Sequence, residues 1–126
     1  MIDQQLQTVL SLDRAQPGVL ELLGIHQFRD DMEAHDDEKQ QQLVEQFTAD
    51  FYLLVTALTC VWGAPDSLTN GGFDRRIPLC GIGMSAGWRH SNCTVFVAFA
   101  HEDRELPFLL VAGTIPAGPP SSDANR

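Results

Sequence analysis

Residues 37–62 read DEKQQQLVEQFTADFYLLVTALTCVW, and the spacing within this run decides the fold. Apolar side chains recur at Leu43, Phe47, Phe51, Leu54, Leu58 and Val61, in steps of 4, 4, 3, 4 and 3. That is the period of one buried helical stripe; a strand would alternate at every second residue. Asp37 followed by Gln40 reads as an N-cap with its capping-box partner, and Glu38 falls in the first turn, where the helix dipole favours an acid. Val44, Val55 and Trp62 widen the apolar face. Beyond residue 51 the helix is apolar nearly all round, which predicts burial of that end on several sides. Gly63 and Pro65 stop it.

Downstream, residues 65–78 read as a loop, with Asn70-Gly71-Gly72 as a turn signal and Arg75-Arg76 as its basic pair. The period then changes to two. Ile82 to His90 reads as a glycine-weakened strand, Ser91-Asn92 as a turn and Cys93 to Ala100 as a firm strand. His101-Glu102-Asp103-Arg104-Glu105 reads as a charged hairpin tip, and Leu106 to Ile115 as a further strand opening on Pro107. Both central strands are apolar on both faces, so each face needs a cover. Upstream, Leu6, Val9, Leu10 and Leu12 are spaced as in a helix that Gln16-Pro17-Gly18 breaks. The run Val19-Leu20-Glu21-Leu22-Leu23 ends at Gly24, where a helix C-cap would fall. Residues 25–36 turn polar and acidic, with room for a short helical turn around Met32. The expectation is a single α+β domain over 1–115. Its N-terminal helices, including the long one, pack on a C-terminal antiparallel meander of three to four strands. Residues 116–126, rich in Pro, Gly, Ser and Ala, are expected to form a disordered tail.

The 126 residues are 44% apolar and 20% charged, the composition of a globular domain rather than a disordered chain. The longest nearly uncharged apolar run, Phe51 to Ala64, is 14 residues, short of the roughly 20 a bilayer span requires. The opening Met1-Ile2-Asp3-Gln4-Gln5 lacks the basic and apolar regions of a signal peptide, so a cytoplasmic location is expected. Seventeen acids against eight bases give a net charge of −9. That surface repels phosphates, and nucleic acid is disfavoured as a partner. Residues 1–63 carry −8 of the charge and residues 64–126 carry −1, an asymmetry that suits either solubility or one face meeting a basic partner.

Cys80, His90, Cys93 and His101 are four soft ligands within 22 residues. Closely spaced cysteine pairs are missing, and Cys93 and His101 stand at opposite ends of one strand, about 26 Å apart. No metal is expected there, and three cysteines do not make a disulfide framework. Asp30, Asp31, Glu33, His35, Asp36, Asp37 and Glu38 lack the alternation and central glycine of a calcium loop. They read as a solvated face or as a patch for a basic partner. The run Gly81-Ile82-Gly83-Met84-Ser85-Ala86-Gly87 leads into a strand and so lacks the strand-then-helix setting of a nucleotide loop. No nucleophile elbow, phosphate loop or zinc-protease signature is present. No cofactor is expected. Trp62 reads as core. Trp88, between Gly87 and Arg89-His90, reads as half exposed, either core or an interface anchor.

Trp62-Gly63-Ala64-Pro65 ending a long helix, a tryptophan strand, and Glu102-Asp103-Arg104-Glu105-Leu106-Pro107-Phe108 before a last strand resemble small uncharacterised actinobacterial α+β proteins. Size, acidity and helix-then-sheet order are also broadly similar to those of bacterial toxin-immunity proteins. The resemblance spans residues 40–115 and carries no functional residue across.

The leading expectation is a non-enzymatic binding protein of the immunity or antitoxin type. Asp30, Asp31, Glu33, Asp36, Asp37 and Glu38 would meet a basic protein partner, such as a toxin, with Trp88 as an aromatic anchor. The alternatives are a secretion-chaperone-like homodimer that holds a client on its apolar sheet face, and a small enzyme or ligand-binding domain using Cys80 with His90 or His101.

Overall fold

The computed structural model describes residues 2–70, 77, 81–103 and 106–116. The chain opens with helix α1 (Ile2–Leu10) and a 3-10 turn at Ser11–Arg14, then runs as strand β1 (Leu20–His26). Helices α2 (Asp31–Ala34) and α3 (Asp37–Trp62) follow, then strands β2 (Ser67–Asn70), β3 (Ile82–Arg89), β4 (Thr94–Ala100) and β5 (Phe108–Ile115). The fold is mixed α+β, with five antiparallel strands in the order β1-β5-β4-β3-β2 rather than three or four.

Two strands account for the difference. Val19–Leu23 reads locally as the end of a helix because Leu and Glu are good helix formers and Gly24 sits at a C-cap position. Pairing with β5 overrides that propensity, from Leu20 opposite Gly113 to His26 opposite Phe108. A bulge between Leu22 and Gly24 absorbs one residue of register. Gly113 has no Cβ to spare, since one would meet the Val19 carbonyl and the Phe96 ring. Strand β2, four residues inside the expected loop, is too short to show a period.

Helix α3 holds its buried stripe at Leu43, Phe47, Phe51, Leu54, Val55 and Leu58. These pack with Val95, Val97, Phe99, Phe108 and Leu110 of the sheet and with Val9 and Leu12 of the first helical segment. Three expectations are corrected here. The N-cap is Asp36, whose carboxylate accepts the Lys39 N–H at 3.1 Å, while Gln40 donates its side-chain amide to the Ala34 carbonyl at 2.8 Å. The C-terminal half is buried on one side only: Tyr52, Leu53 and Val61 are 42%, 55% and 59% exposed. Among the described residues α3 is the one helix with the length and apolarity to cross a bilayer, which a count of uncharged residues had excluded; in this fold its stripe faces the sheet. At its end Gly63 takes a left-handed backbone (φ 83°) and donates its N–H to the Thr59 carbonyl.

The second face of the sheet has its own small core. Ile77, between β2 and β3, is buried with Phe96, Ala98, Val111 and Ile115, and Ile82 and Leu109 pack around them. The open apolar face that a client-holding homodimer would use is therefore covered at its centre. Leu20, Leu22 and Ile25, on β1 at the sheet edge, remain about half exposed. Asn70 ends β2, while Gly71-Gly72 of the expected turn, the pair Arg75-Arg76, Cys80, Arg104-Glu105 and the tail from 117 lie outside the described residues.

Adjacent residues of α3 give a contrast in stability. Leu54 is fully buried and Leu53 is 55% exposed. Leu54→Ala should cost about 3 kcal/mol and Leu53→Ala less than about 0.5 kcal/mol, read from urea unfolding midpoints.

Candidate functional site: an acidic patch beside an open strand edge

The acidic residues gather where the chain leaves β1 and starts two helices in succession. Each helix start has unpaired N–H groups, and a carboxylate satisfies one of them at each. Asp30 accepts the Glu33 N–H at 2.9 Å and caps α2; Asp36 caps α3. Glu33 folds back. Its Oε1 accepts the Arg29 N–H at 2.7 Å and lies 3.7 Å from the Arg29 Nε, while its Oε2 lies 3.7 Å from His26 Nε2. The Arg29 hydrogen bond, aided by the charges of Arg29, His26 and Lys39, holds the Glu33 carboxyl below its ordinary value despite partial desolvation.

Asp30, Glu33 and Asp36 thus converge with Arg29, Lys39 and the exposed Met32 around a depression of about 360 Å³. Asp31, Asp37 and Glu38 are exposed on the same short segment. Of the six expected carboxylates, Asp30, Glu33 and Asp36 line this depression, and Asp31, Asp37 and Glu38 are exposed. Three of them also hold local backbone, and Glu33 is partly neutralised by its neighbours.

Trp88 does not belong to this group. It is 2% exposed, which corrects the half-exposed reading and removes it as a surface anchor. Its indole N–H donates to the Gly63 carbonyl at 2.9 Å, and its ring meets Trp62 edge-on at 5.8 Å. The side chain locks the end of α3 onto β3. Of the neighbours that suggested exposure, Arg89 ends β3 and His90 begins the turn to β4, where its N–H donates to the Cys93 carbonyl at 2.7 Å.

A second feature adjoins the patch. Between α1, α3 and the outer edge of β1 lies a cavity of about 750 Å³. Gln4, Gln5 and Thr8 line it from α1, residues 22–26 from β1, and Gln46, Asp50 and Leu53 from α3. Among the described residues that line it, Asp50 is the one carboxylate and no Lys or Arg is present. His26 belongs to both places, lining the cavity and facing Glu33. Little in the sequence marks this cavity, because its walls come from four separated segments, α1, β1, α3 and β5. Leu20 and Leu22 flanking Glu21 on alternate positions were the available hint.

The soft ligands are dispersed. The Cys93 thiol is buried and donates to the Leu12 carbonyl at 3.7 Å. Burial, then the charge of Asp13, pushes its pKa up, which keeps it a thiol rather than a nucleophilic thiolate. His101 stacks on Phe108 with ring centroids 3.7 Å apart. Burial lowers its pKa, against backbone hydrogen bonds at Leu106 and Asp103 and the Asp103 charge. Among the described residues no three His, Cys, Asp or Glu side chains stand together as a metal set. Comparison with family profiles, with curated proteins and with solved structures returned no match.

Two groups should shape stability against pH. Glu33 is more acidic in the fold than in the unfolded chain, so its contribution is present above the ordinary glutamate value and is lost as pH falls through the lower folded value. His101 is harder to protonate when folded, so stability should also fall as pH drops below roughly 6.5, the ordinary imidazole value. In urea midpoints taken across pH, Glu33→Gln should flatten the more acidic fall and His101→Phe the one nearer neutrality.

Proposed function

We propose that this chain is a non-enzymatic binding protein that neutralises a basic protein partner, in the manner of immunity and antitoxin proteins. The observation that carries the reading is the acidic patch. Asp30, Asp31, Asp36, Asp37 and Glu38 are exposed within one short segment around two adjacent helix starts, with Arg29 and Lys39 as the cations in it. Helix capping fixes Asp30 and Asp36 in place, so part of the patch is preorganised. Such a region speeds the approach of a cationic surface and rejects anionic ones. The catalytic alternative pairs Cys80 with His90 or His101, and Cys80 lies outside the described residues.

The reading is tested with immobilised lysine-rich and glutamate-rich peptides of equal length. The protein should be retained on the lysine-rich set alone and released between about 50 mM and about 500 mM salt. Asp31→Lys, Asp37→Lys and Glu38→Lys together, which spare both helix caps, should weaken retention at least about tenfold. Equal retention on both sets, or insensitivity to salt, would overturn the reading.

A further inference from the structure

We propose that the open edge of β1, with the cavity beside it, accepts an added strand from the basic partner: an extended segment whose residues alternate between apolar and basic. The inference rests on the basic-partner reading and names the docking mode.

Strand β1 ends the sheet. It pairs with β5 on one side, and among the described residues no strand pairs with its other side. The Thr114 N–H donates to the Val19 carbonyl at 2.9 Å and the Val19 N–H donates to the Thr114 hydroxyl at 2.9 Å, so both backbone groups of Val19 face β5. Antiparallel alternation then turns the N–H and C=O of Leu20 and Leu22 away from β5, toward the open edge. Proteins usually blunt such an edge with lysine, proline, a bulge or brevity. Residues 20–26 contain neither lysine nor proline and the strand is seven residues long, and its bulge lies after Leu22, so Leu20–Leu22 keep a regular edge. The opposite edge, β2, is four residues long.

The two sides of this edge differ in chemistry, and the difference specifies the occupant. Leu20, Leu22 and Ile25, 47%, 55% and 47% exposed, share the sheet face of Val111 and Leu109, their neighbours across the β1–β5 ladder. On the helix side the edge borders the cavity, whose polar lining is Gln4, Gln5, Thr8, His26, Gln46 and Asp50, with Leu53 half exposed at its wall. A strand laid along β1 sends alternate side chains to these two places. Those on the leucine side extend an apolar patch. Those on the cavity side meet a carboxylate and amides, and a lysine or arginine reaches Asp50 while its stem lies on Leu53.

Charge argues against a second copy as the occupant. Two chains of −9 would have to meet edge to edge, each adding an exposed Glu21 to the contact. It favours a cationic segment, whose passage beyond His26 would bring it to the acidic patch through the His26–Glu33 contact.

The full chain is titrated with three labelled peptides of about eight residues, the length of a typical strand. One alternates lysine and valine, one alternates glutamate and valine, and one is the lysine–valine peptide N-methylated at every second amide. Fluorescence anisotropy reads affinity, amide hydrogen exchange at Leu20 and Leu22 reads the site, and light scattering reads the oligomeric state. The lysine–valine peptide should bind and slow exchange at both amides about tenfold or more, and the other two should bind at least about tenfold more weakly. Leu22→Pro should abolish binding, and Asp50→Asn should weaken the lysine–valine peptide about threefold. The N-methylated peptide tests backbone pairing with the protein unaltered, so a misfolded Leu22→Pro leaves the test intact.

Binding that survives N-methylation but is lost with Asp31→Lys, Asp37→Lys and Glu38→Lys would overturn strand addition and leave the basic-partner reading standing. Equal binding of the glutamate–valine peptide at β1 would overturn both. A dimer with β1 amides already protected would make a second copy the occupant and overturn the proposal, as would no binding of any peptide.

Discussion

The burial of one stripe of α3 against the middle of the sheet is the constraint from which the remaining architecture follows. Phe51, Leu54 and Leu58 are fully buried, and they meet Val95, Val97, Phe108 and Leu110. A helix of 26 residues is about 39 Å long, whereas five strands span only about 19 Å across the sheet. The chain entering α3 beside one edge can therefore leave it beside the other. Strand β1 precedes the helix and β2 follows it, and they form the two opposite edges. The meander β2-β3-β4-β5 then returns to close on β1. The same crossover that buries the stripe thus leaves β1 as a terminal strand, with no second strand beside it among the described residues.

Elements specified by local pattern were legible in the sequence. Helix α3 is set by its own period, β4 and β5 by alternation, and the Ser91-Asn92 turn by its residue types. What escaped the reading depends on distant partners. Strand β1 is fixed by β5 and by Thr114, whose hydroxyl donates to the Gln16 carbonyl at 2.6 Å and accepts the Val19 N–H at 2.9 Å, across more than ninety residues of chain. Without those bonds, Leu20–Gly24 has the composition of a helix end. Trp88 likewise sits among polar neighbours in sequence, and its burial is decided by Trp62 and Gly63 at the end of α3. Val61 erred the other way: it fits the stripe's spacing, but it lies 59% exposed at the helix end.

The acidic patch was visible as a set of residues but not as a structure. A run of carboxylates says where negative charge lies along the chain; it does not say which carboxylates are already engaged. Asp30 and Asp36 are held by backbone N–H groups at two helix starts. These bonds consume one lone pair each and leave the charge facing outward, so a capping role and a docking role are compatible. Glu33 differs, because its two oxygens turn inward to Arg29 and His26. Its charge is the one most screened from a partner, and its work is to hold the chain's path.

That path places the acidic segment beside the end of β1. Between the end of β1 and the start of α2 there are only four residues, and Glu33 reaches back across them to the Arg29 N–H and to His26. His26 also lines the cavity along β1. The Glu33 carboxylate therefore fixes the position of the acidic segment relative to the open edge. Two binding features on independently moving parts would each have to be ordered when a partner arrives, at a cost in conformational entropy. Here the helix caps and the Glu33 clasp have ordered them within the fold itself. A basic segment pairing with β1 would meet the patch in a fixed direction, so charge would bias which way the added strand runs as well as how strongly it is held.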